Sequence, residues 1–416
     1  MVKNLANKNE VESQKKDIAV CLVACLLIVV PSVISLFNGI IRSFVTLPLK
    51  IDTLFIYGLL LLLVLYAVKA LLVRTSPLIY CIIAFLIFAY LISFMLNSYY
   101  LEHYLILGLN FLVYSLPWLV VAYAVRTHRL LKKYLYLSAL IVLFSYIINF
   151  YVLKTIMIEH SYSQSYTYEL LPVAIILGNR LFEKIKFFDV ITFVSSIILM
   201  FSMGARGPIV CVMLFIALKI LLMYKSKPKN AFIASSIIFS ISVVIFFCFY
   251  EMLKYLLNLF QKMNLSTRTL SKLLEGSFLE DNARNVLFNH SIELIKEHPF
   301  TGVGMGNERI LLANKMGKDN IMSETIGWYP HNFFLEILLH FGIFIGTAIL
   351  IILVKIIFTT ITKNSNKDAI DIICIFIGIG FFPLLMSGSY ITSPYFFSLI
   401  GYCLFQYKNK KIIISK

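Results

Sequence analysis

From near residue 18 to near residue 407 the chain returns again and again to apolar runs of about 20 residues, the length a helix needs to cross roughly 30 Å of hydrocarbon. Apolar and aromatic residues make up 60% of the 416, and charged residues 14%, against about 25% in an ordinary soluble domain. A water-soluble core cannot absorb that much apolar surface. Lipid offers the backbone no hydrogen bonds, so the runs must satisfy their own and are helices. By run length the spans fall at 18–37, 53–73, 77–96, 104–124, 134–154, 168–182, 188–203, 207–224, 231–252, 332–358, 369–387 and 393–407. The expectation is an all-α polytopic membrane helix bundle of about twelve transmembrane helices. The sixth and twelfth runs are short, residues 1–416 read as a single membrane domain, and one large hydrophilic loop, 253–330, separates the ninth span from the tenth.

Charge sets the topology. With a cytoplasmic amino terminus, 24 of the 37 lysines and arginines fall in inside segments, and the short outside loops keep just Arg42, Lys50, Lys154 and Arg206. Basic residues in short loops mark the cytoplasmic side, while long loops cross regardless of charge. Both termini are therefore expected inside and the 253–330 loop outside. The first run is too long for a signal peptide and lacks a small-x-small cleavage site, so it reads as an uncleaved span. The formal charge of +16 is thus explained by topology. No basic patch interleaved with aromatics points to nucleic acid. Seven cysteines, Cys21, Cys25, Cys81, Cys211, Cys248, Cys374 and Cys403, all lie in apolar runs and read as packing residues rather than metal ligands.

The long loop carries basic and acidic residues in similar number, as a folded cap would. Within it, 281–298 reads as an amphipathic helix: Asp281 as cap, Leu287, Phe288, Ile292 and Ile295 on one face, Arg284 in the first turn and Pro299 as the stop. HPFTGVGMGN (298–307) follows, its Gly302, Gly304 and Gly306 suited to tight turns and close approach. It follows no strand and opens no obvious helix, which argues against a nucleotide-phosphate loop. YPHNFFLEILLHFG (329–342) then leads into the tenth span, with His331 at the outer membrane face. Glu336 and His340, four residues apart, share a helix face and read as a buried polar pair, and no HExxH zinc pattern occurs.

Arg206, in GARG (204–207), stands at an outer junction where an arginine is costly. A guanidinium is a permanently charged planar fork suited to phosphate oxygens, and it can stabilise a departing pyrophosphate. Arg206, Arg284 and His331 thus make two candidate phosphate clamps and a candidate proton acceptor on one side of the membrane. Each also has a purely structural reading. Arg206 could anchor to headgroups, Arg284 could pair with Asp281 or Glu280, and His331 could cap the tenth helix.

GARG ahead of a span, ARNVLFNHSIELIKEHPFTGVGMGN in the long loop and PHNFFLE opening the next span together resemble the O-antigen polymerase and O-antigen ligase family of bacterial membrane glycosyltransferases. The resemblance is strongest over 200–350. It implies a glycosyltransferase-C-like bundle in the bacterial cytoplasmic (inner) membrane, with its active site on the outer face and a donor oligosaccharide carried on undecaprenyl pyrophosphate. It also implies a metal-independent reaction without cofactors, in which Arg206 and Arg284 hold the donor pyrophosphate and His331 orients or deprotonates the attacking hydroxyl. Further candidates for substrate contact are Arg268, Gly302, Gly304, Asn332 and Glu336. PHNFFLEILLHFG and SGSYITSP (387–394) lean towards a polysaccharide polymerase of O-antigen or capsule rather than a ligase. Expected partners are the lipid-linked oligosaccharide, membrane lipids, a chain-length regulator and a flippase. A transporter or flippase of the same lipid is the non-enzyme alternative, although the charges gather at the outer face and not at the midplane that transporters favour.

Overall fold

A computed structural model of the chain describes residues 2–44, 67–149, 164–226, 253–262, 267–275, 282–317 and 327–414, with a few isolated residues between them. Among these the regular structure is helical throughout: α1 Val2–Phe44, α2 Pro77–Leu96, α3 Leu101–Ala124, α4 His128–Ile147, α5 Gln164–Glu183, α6 Phe187–Ser202, α7 Arg206–Ser226, α8 Asn282–Glu297, α9 Asn307–Lys315, α10 Phe333–Lys363, α11 Lys367–Met386 and α12 Pro394–Ile414. A short helix at Arg268–Leu274 lies in the long loop. Seven helices among the described residues are long and apolar enough to cross a membrane: Glu12–Leu36 within α1, then α2, α3, α4, Arg206–Tyr224 within α7, α10 and α11. The protein is an all-α polytopic membrane protein.

The described helices overlap the runs expected from sequence, α2 to the residue, although α4 starts six residues before its run and α12 extends seven beyond its own. The 53–73 and 231–252 runs lie largely outside the described residues. Phe88, Met95, Phe344 and Phe358, at 63–74% exposed, show why these faces need lipid. In water such a surface would drive aggregation. Five of the cysteines, Cys21, Cys25, Cys211, Cys374 and Cys403, are buried as packing residues; Cys81 is exposed, and Cys248 lies outside the described residues.

The chain divides into two compact units. One comprises Met1–Val20, Ala67–His128 and Asp281–Lys416; the other comprises Cys21–Tyr66 and Arg129–Glu280. The second unit packs α5 between α6 and α7. Tyr136 donates to Asp189 at 2.6 Å, and Lys132 pairs with Glu183 at 2.6 Å. In the first unit α12 lies against the end of α3, where a Cβ on Gly401 would stand 2.2 Å from the Leu119 carbonyl oxygen. That backbone approach needs glycine, as helix contacts in membranes often do.

α10 differs from the uninterrupted span that its sequence suggests. Gly342 adopts φ 72 and ψ 176, breaking the helix into Phe333–Phe341 and Ile343–Lys363. The 298–304 loop takes over the hydrogen bonds that the break releases: Ile343 N–H donates to the Pro299 carbonyl at 2.7 Å, and Val303 N–H donates to the Leu339 carbonyl at 2.6 Å. A Cβ on Gly342 would lie 2.3 Å from the Phe300 carbonyl oxygen, so both the φ and the space demand glycine.

Candidate functional site

α8 forms essentially as its pattern dictates, ending at Glu297 before Pro299. Its buried face is Leu287, Ser291, Leu294 and Ile295, spaced as one helical stripe, while Phe288 is 41% exposed. Phe288 therefore lies off the face assigned to it from sequence, and Leu294 belongs on that face. The stripe packs with Leu312 of α9 and Leu339 of α10. This packing carries Arg284, in the first turn of α8, to the turn after α11, where its Nη1 donates to the Met386 carbonyl at 2.8 Å. Asp281 and Glu280, the partners imagined for Arg284, lie outside the described residues.

The segment before α10 arrives at the same turn. Asn332 caps α10, its side-chain oxygen accepting from the Phe334 and Leu335 N–H groups at 3.0 and 3.2 Å. His331, just before the cap, has φ 52, a left-handed conformation that is rare and strained for a residue with a Cβ and that recurs at functional sites. His331 Nδ1 lies 3.3 Å from the Ser387 carbonyl, and the Tyr329 hydroxyl donates to the same oxygen at 2.5 Å. A carbonyl oxygen can only accept, so Nδ1 carries the proton and Nε2 of the neutral ring keeps its lone pair. Burial holds the Tyr329 phenol above its ordinary value, so it remains a donor. Arg284 and His331 thus meet across the 386–387 carbonyls, and both are half-buried.

Beside this turn is a fully buried polar circuit. Glu308 and Arg309 come from the first turn of α9, Glu336 and His340 from α10, and Ser389 and Tyr390 from the turn before α12. His340 Nε2 lies 2.9 Å from Glu308 Oε2, and Arg309 Nε lies 3.3 Å from Glu308 Oε1. Arg309 Nη2 donates to Ser389 Oγ at 2.8 Å, and the Ser389 hydroxyl donates to Glu336 Oε1. Glu336 Oε2 accepts from the Tyr390 N–H at 3.1 Å, and His340 Nδ1 meets the Tyr390 hydroxyl at 2.6 Å, which closes the ring of contacts. Burial alone would raise the Glu308 carboxyl, but His340 and Arg309 together hold it below its ordinary value. Glu308, Glu336 and His340 have ligand atoms within 4.8 Å of one another, a spacing that a metal would accept. The cation already in that cluster is the Arg309 guanidinium, and it would oppose a second one.

Sequence reading did not single out Glu308, Arg309 or Tyr329, and it used SGSYITSP, which holds most of the 386–390 turn, only as a sign of a polymerase. The signal was local: Arg309 stands three residues before Leu312 and four before Ala313, so its helix face points inwards. A helix also opens at Asn307, where none was expected, with Gly306 as its left-handed cap. The glycines of 302–306 approach the chain's own atoms. A Cβ on Gly302 would stand 2.4 Å from the Leu339 carbonyl oxygen, and one on Gly304 would stand 2.5 Å from Ser93 Oγ. Glu336 is 1% exposed, with both carboxylate oxygens engaged as described. Arg206 is the first residue of α7 in the second unit, half-buried, after a left-handed Gly204. Arg268 begins the short helix, and its side chain lies outside the described residues.

Residues 191–351 match the family described as O-antigen ligase. The resemblance carried by GARG, the long-loop motif and PHNFFLE is thereby borne out, for a family of glycosyltransferase-like enzymes of the bacterial inner membrane. The matched segment contains Arg206, Arg284, His331 and the α9 and α10 members of the buried circuit, and it ends before the Ser387–Tyr390 turn. No curated protein matches the chain.

An apolar cavity of about 350 Å³ lies in the first unit, lined by residues that include Phe85, Ile337, Phe341, Leu353, Phe396 and Ile400. Tyr390 also lines it, so the cavity borders the buried circuit.

Proposed function

We propose that the protein is a polysaccharide polymerase, which moves a growing glycan from undecaprenyl pyrophosphate to a sugar hydroxyl of the next lipid-linked repeat unit. The observation that carries this reading is the meeting of Arg284 and His331 at one half-buried turn inside an O-antigen ligase family domain. In the reaction the acceptor oxygen bonds to the anomeric carbon as the bond from that carbon to the pyrophosphate oxygen breaks. The leaving group departs as an anion, and Arg284, with Arg206 as the second clamp, neutralises the developing charge. The acceptor proton passes to His331 Nε2, which the Nδ1–H contact to Ser387 leaves as the basic nitrogen. Arginine clamps do the work a metal would do, so the reaction is metal-independent. The apolar cavity bordering Tyr390 offers hydrocarbon surface to a polyprenyl tail. Both termini face the cytoplasm and the site faces outwards, a placement that the charge distribution along the chain supports.

The family description itself favours one competing reading, a ligase with the same donor chemistry and a different acceptor. Purified protein supplied with lipid-linked repeat units decides between them. A polymerase alone gives a ladder of products, whereas transfer confined to a lipid A core would establish the ligase. Movement of intact lipid-linked sugar between leaflets without new glycosidic bonds would establish a transporter.

A further inference from the structure

The turn that carries the Ser387 carbonyl is fixed from behind. Ser387 and Gly388 N–H groups both donate to the Pro383 carbonyl at 2.8 Å, which closes the turn locally. Two residues on, Ser389 accepts from Arg309 and donates to Glu336, and the next N–H, that of Tyr390, donates to the other Glu336 oxygen. Arg309 also lies over the Tyr329 ring, 4.8 Å from its centroid. Tyr329 in turn stands 4.2 Å, ring to ring, from His331 and shares the Ser387 oxygen with it. One guanidinium therefore grips both sides of the contact that sets the His331 ring.

We infer that Arg309, Ser389 and Glu336 are positioning residues: they hold the Ser387 carbonyl against His331 Nδ1 and so fix both the ring's orientation and its Nε2 lone pair. The inference rests on His331 being the proton acceptor proposed above. Neutral Nδ1–H and the imidazolium both donate to the carbonyl, and the charged form does so more strongly, so the contact favours protonation. Tyr329 shares the Ser387 oxygen with His331, and the charged groups acting on Tyr329 are Arg309 from α9, Glu336 from α10 and Arg284 from α8. A loosened turn removes the acceptor, and the imidazole then protonates at lower pH.

The test is a pH profile of initial polymerisation rate in purified full-length protein, for the wild type and for Ser389→Ala, Ser389→Thr and Glu336→Gln. For Ser389→Ala we expect kcat to fall about tenfold, a part of the roughly 100- to 10,000-fold that a positioned general base supplies, with the donor KM unchanged. Its acidic limb should move to lower pH. Ser389→Thr keeps the hydroxyl and should restore both kcat and the limb. Glu336→Gln keeps one acceptor oxygen and should lie between, and it decides the matter if Ser389→Ala does not accumulate. An acidic limb that stays at the wild-type pH, whether or not kcat falls, overturns the positioning role and leaves the circuit purely structural. His331→Ala run alongside separates the two readings: if it retains wild-type activity, the assignment of His331 as base has failed and not the positioning of the turn.

Discussion

Two polar groupings lie side by side in one unit and hold their side chains in different ways, one on a carboxylate and the other on main-chain carbonyls. In the buried circuit, side chains meet a carboxylate directly: Arg309 and His340 on Glu308, all 0–3% exposed. At the neighbouring turn, Arg284 and His331 rest on main-chain carbonyls, at Met386 and Ser387, and are half-buried. A carboxylate contact cancels a cation's charge; a carbonyl orients the group and leaves its net charge in place. The first arrangement suits a scaffold, since removing either partner strands the other in a dry interior. The second fixes the position of Arg284 and His331 at the turn, as the encounter with an anion proposed above requires. The two sit close together because the scaffold residues Arg309 and Glu336 bond to the turn on which the other pair rests.

The sharpest way to break this contrast is to remove the half-buried pair. His331→Ala should lower the polymerisation rate by roughly 100-fold or more, the usual contribution of a positioned base, and Arg284→Ala should lower it comparably by removing a leaving-group clamp. Neither should alter the amount of protein in the membrane, and the melting temperature in detergent should fall less than for a substitution in the buried circuit, since Arg284 and His331 are only half-buried. Comparable activity in either variant would move that residue to the scaffold side.

Next in size is the buried side of the comparison. Glu308→Ala leaves Arg309 and His340 without the carboxylate that both contact, and loss of one partner from a buried pair costs about 3–5 kcal/mol. Membrane abundance and thermal stability should drop together, with whatever activity remains proportional to the folded protein. A stable Glu308→Ala protein that has lost activity selectively would make Glu308 a participant in the chemistry.

How much of this was legible in the sequence follows from which forces act locally. Span positions follow from run length and lipid, so α2 and α10 begin within a residue of their expected starts. The α8 stripe was legible as well, because helical periodicity is a local signal, although Phe288 was placed on the wrong face. Arg284 stood out as a cation in the first turn of the expected loop helix, and His331 as a histidine at the outer end of the expected tenth span. The α10 break did not stand out: Gly342 is one glycine in an apolar run, and only the Pro299 and Leu339 contacts with a loop some forty residues away make it a break. Of the buried circuit, Glu336 and His340 were legible as a buried polar pair four residues apart, but Glu308 and Arg309 were not, since they belong to a short helix in a charged loop and their partners lie some thirty and eighty residues further on. Polar burial is a tertiary property, and periodicity hints at it only through Leu312 and Ala313.

The smallest expected effect is a pH dependence confined to the buried side. His340 and Arg309 hold the Glu308 carboxyl below its ordinary value of 4.5 against the opposing pull of burial. A carboxyl that is more acidic in the folded state contributes stability above its unfolded value, and that contribution is lost as pH falls through the folded value. Glu308→Gln cannot titrate there. At neutral pH the wild type should therefore melt above Glu308→Gln, and the gap should narrow as pH is lowered from about 5 towards 3.5, whereas the gap between wild type and Arg284→Ala should hold constant over the same interval. A Glu308→Gln gap that stays constant would mean that Glu308 does not ionise inside the circuit. The circuit would then be a neutral hydrogen-bonded network, and the difference between the two groupings would be one of burial alone.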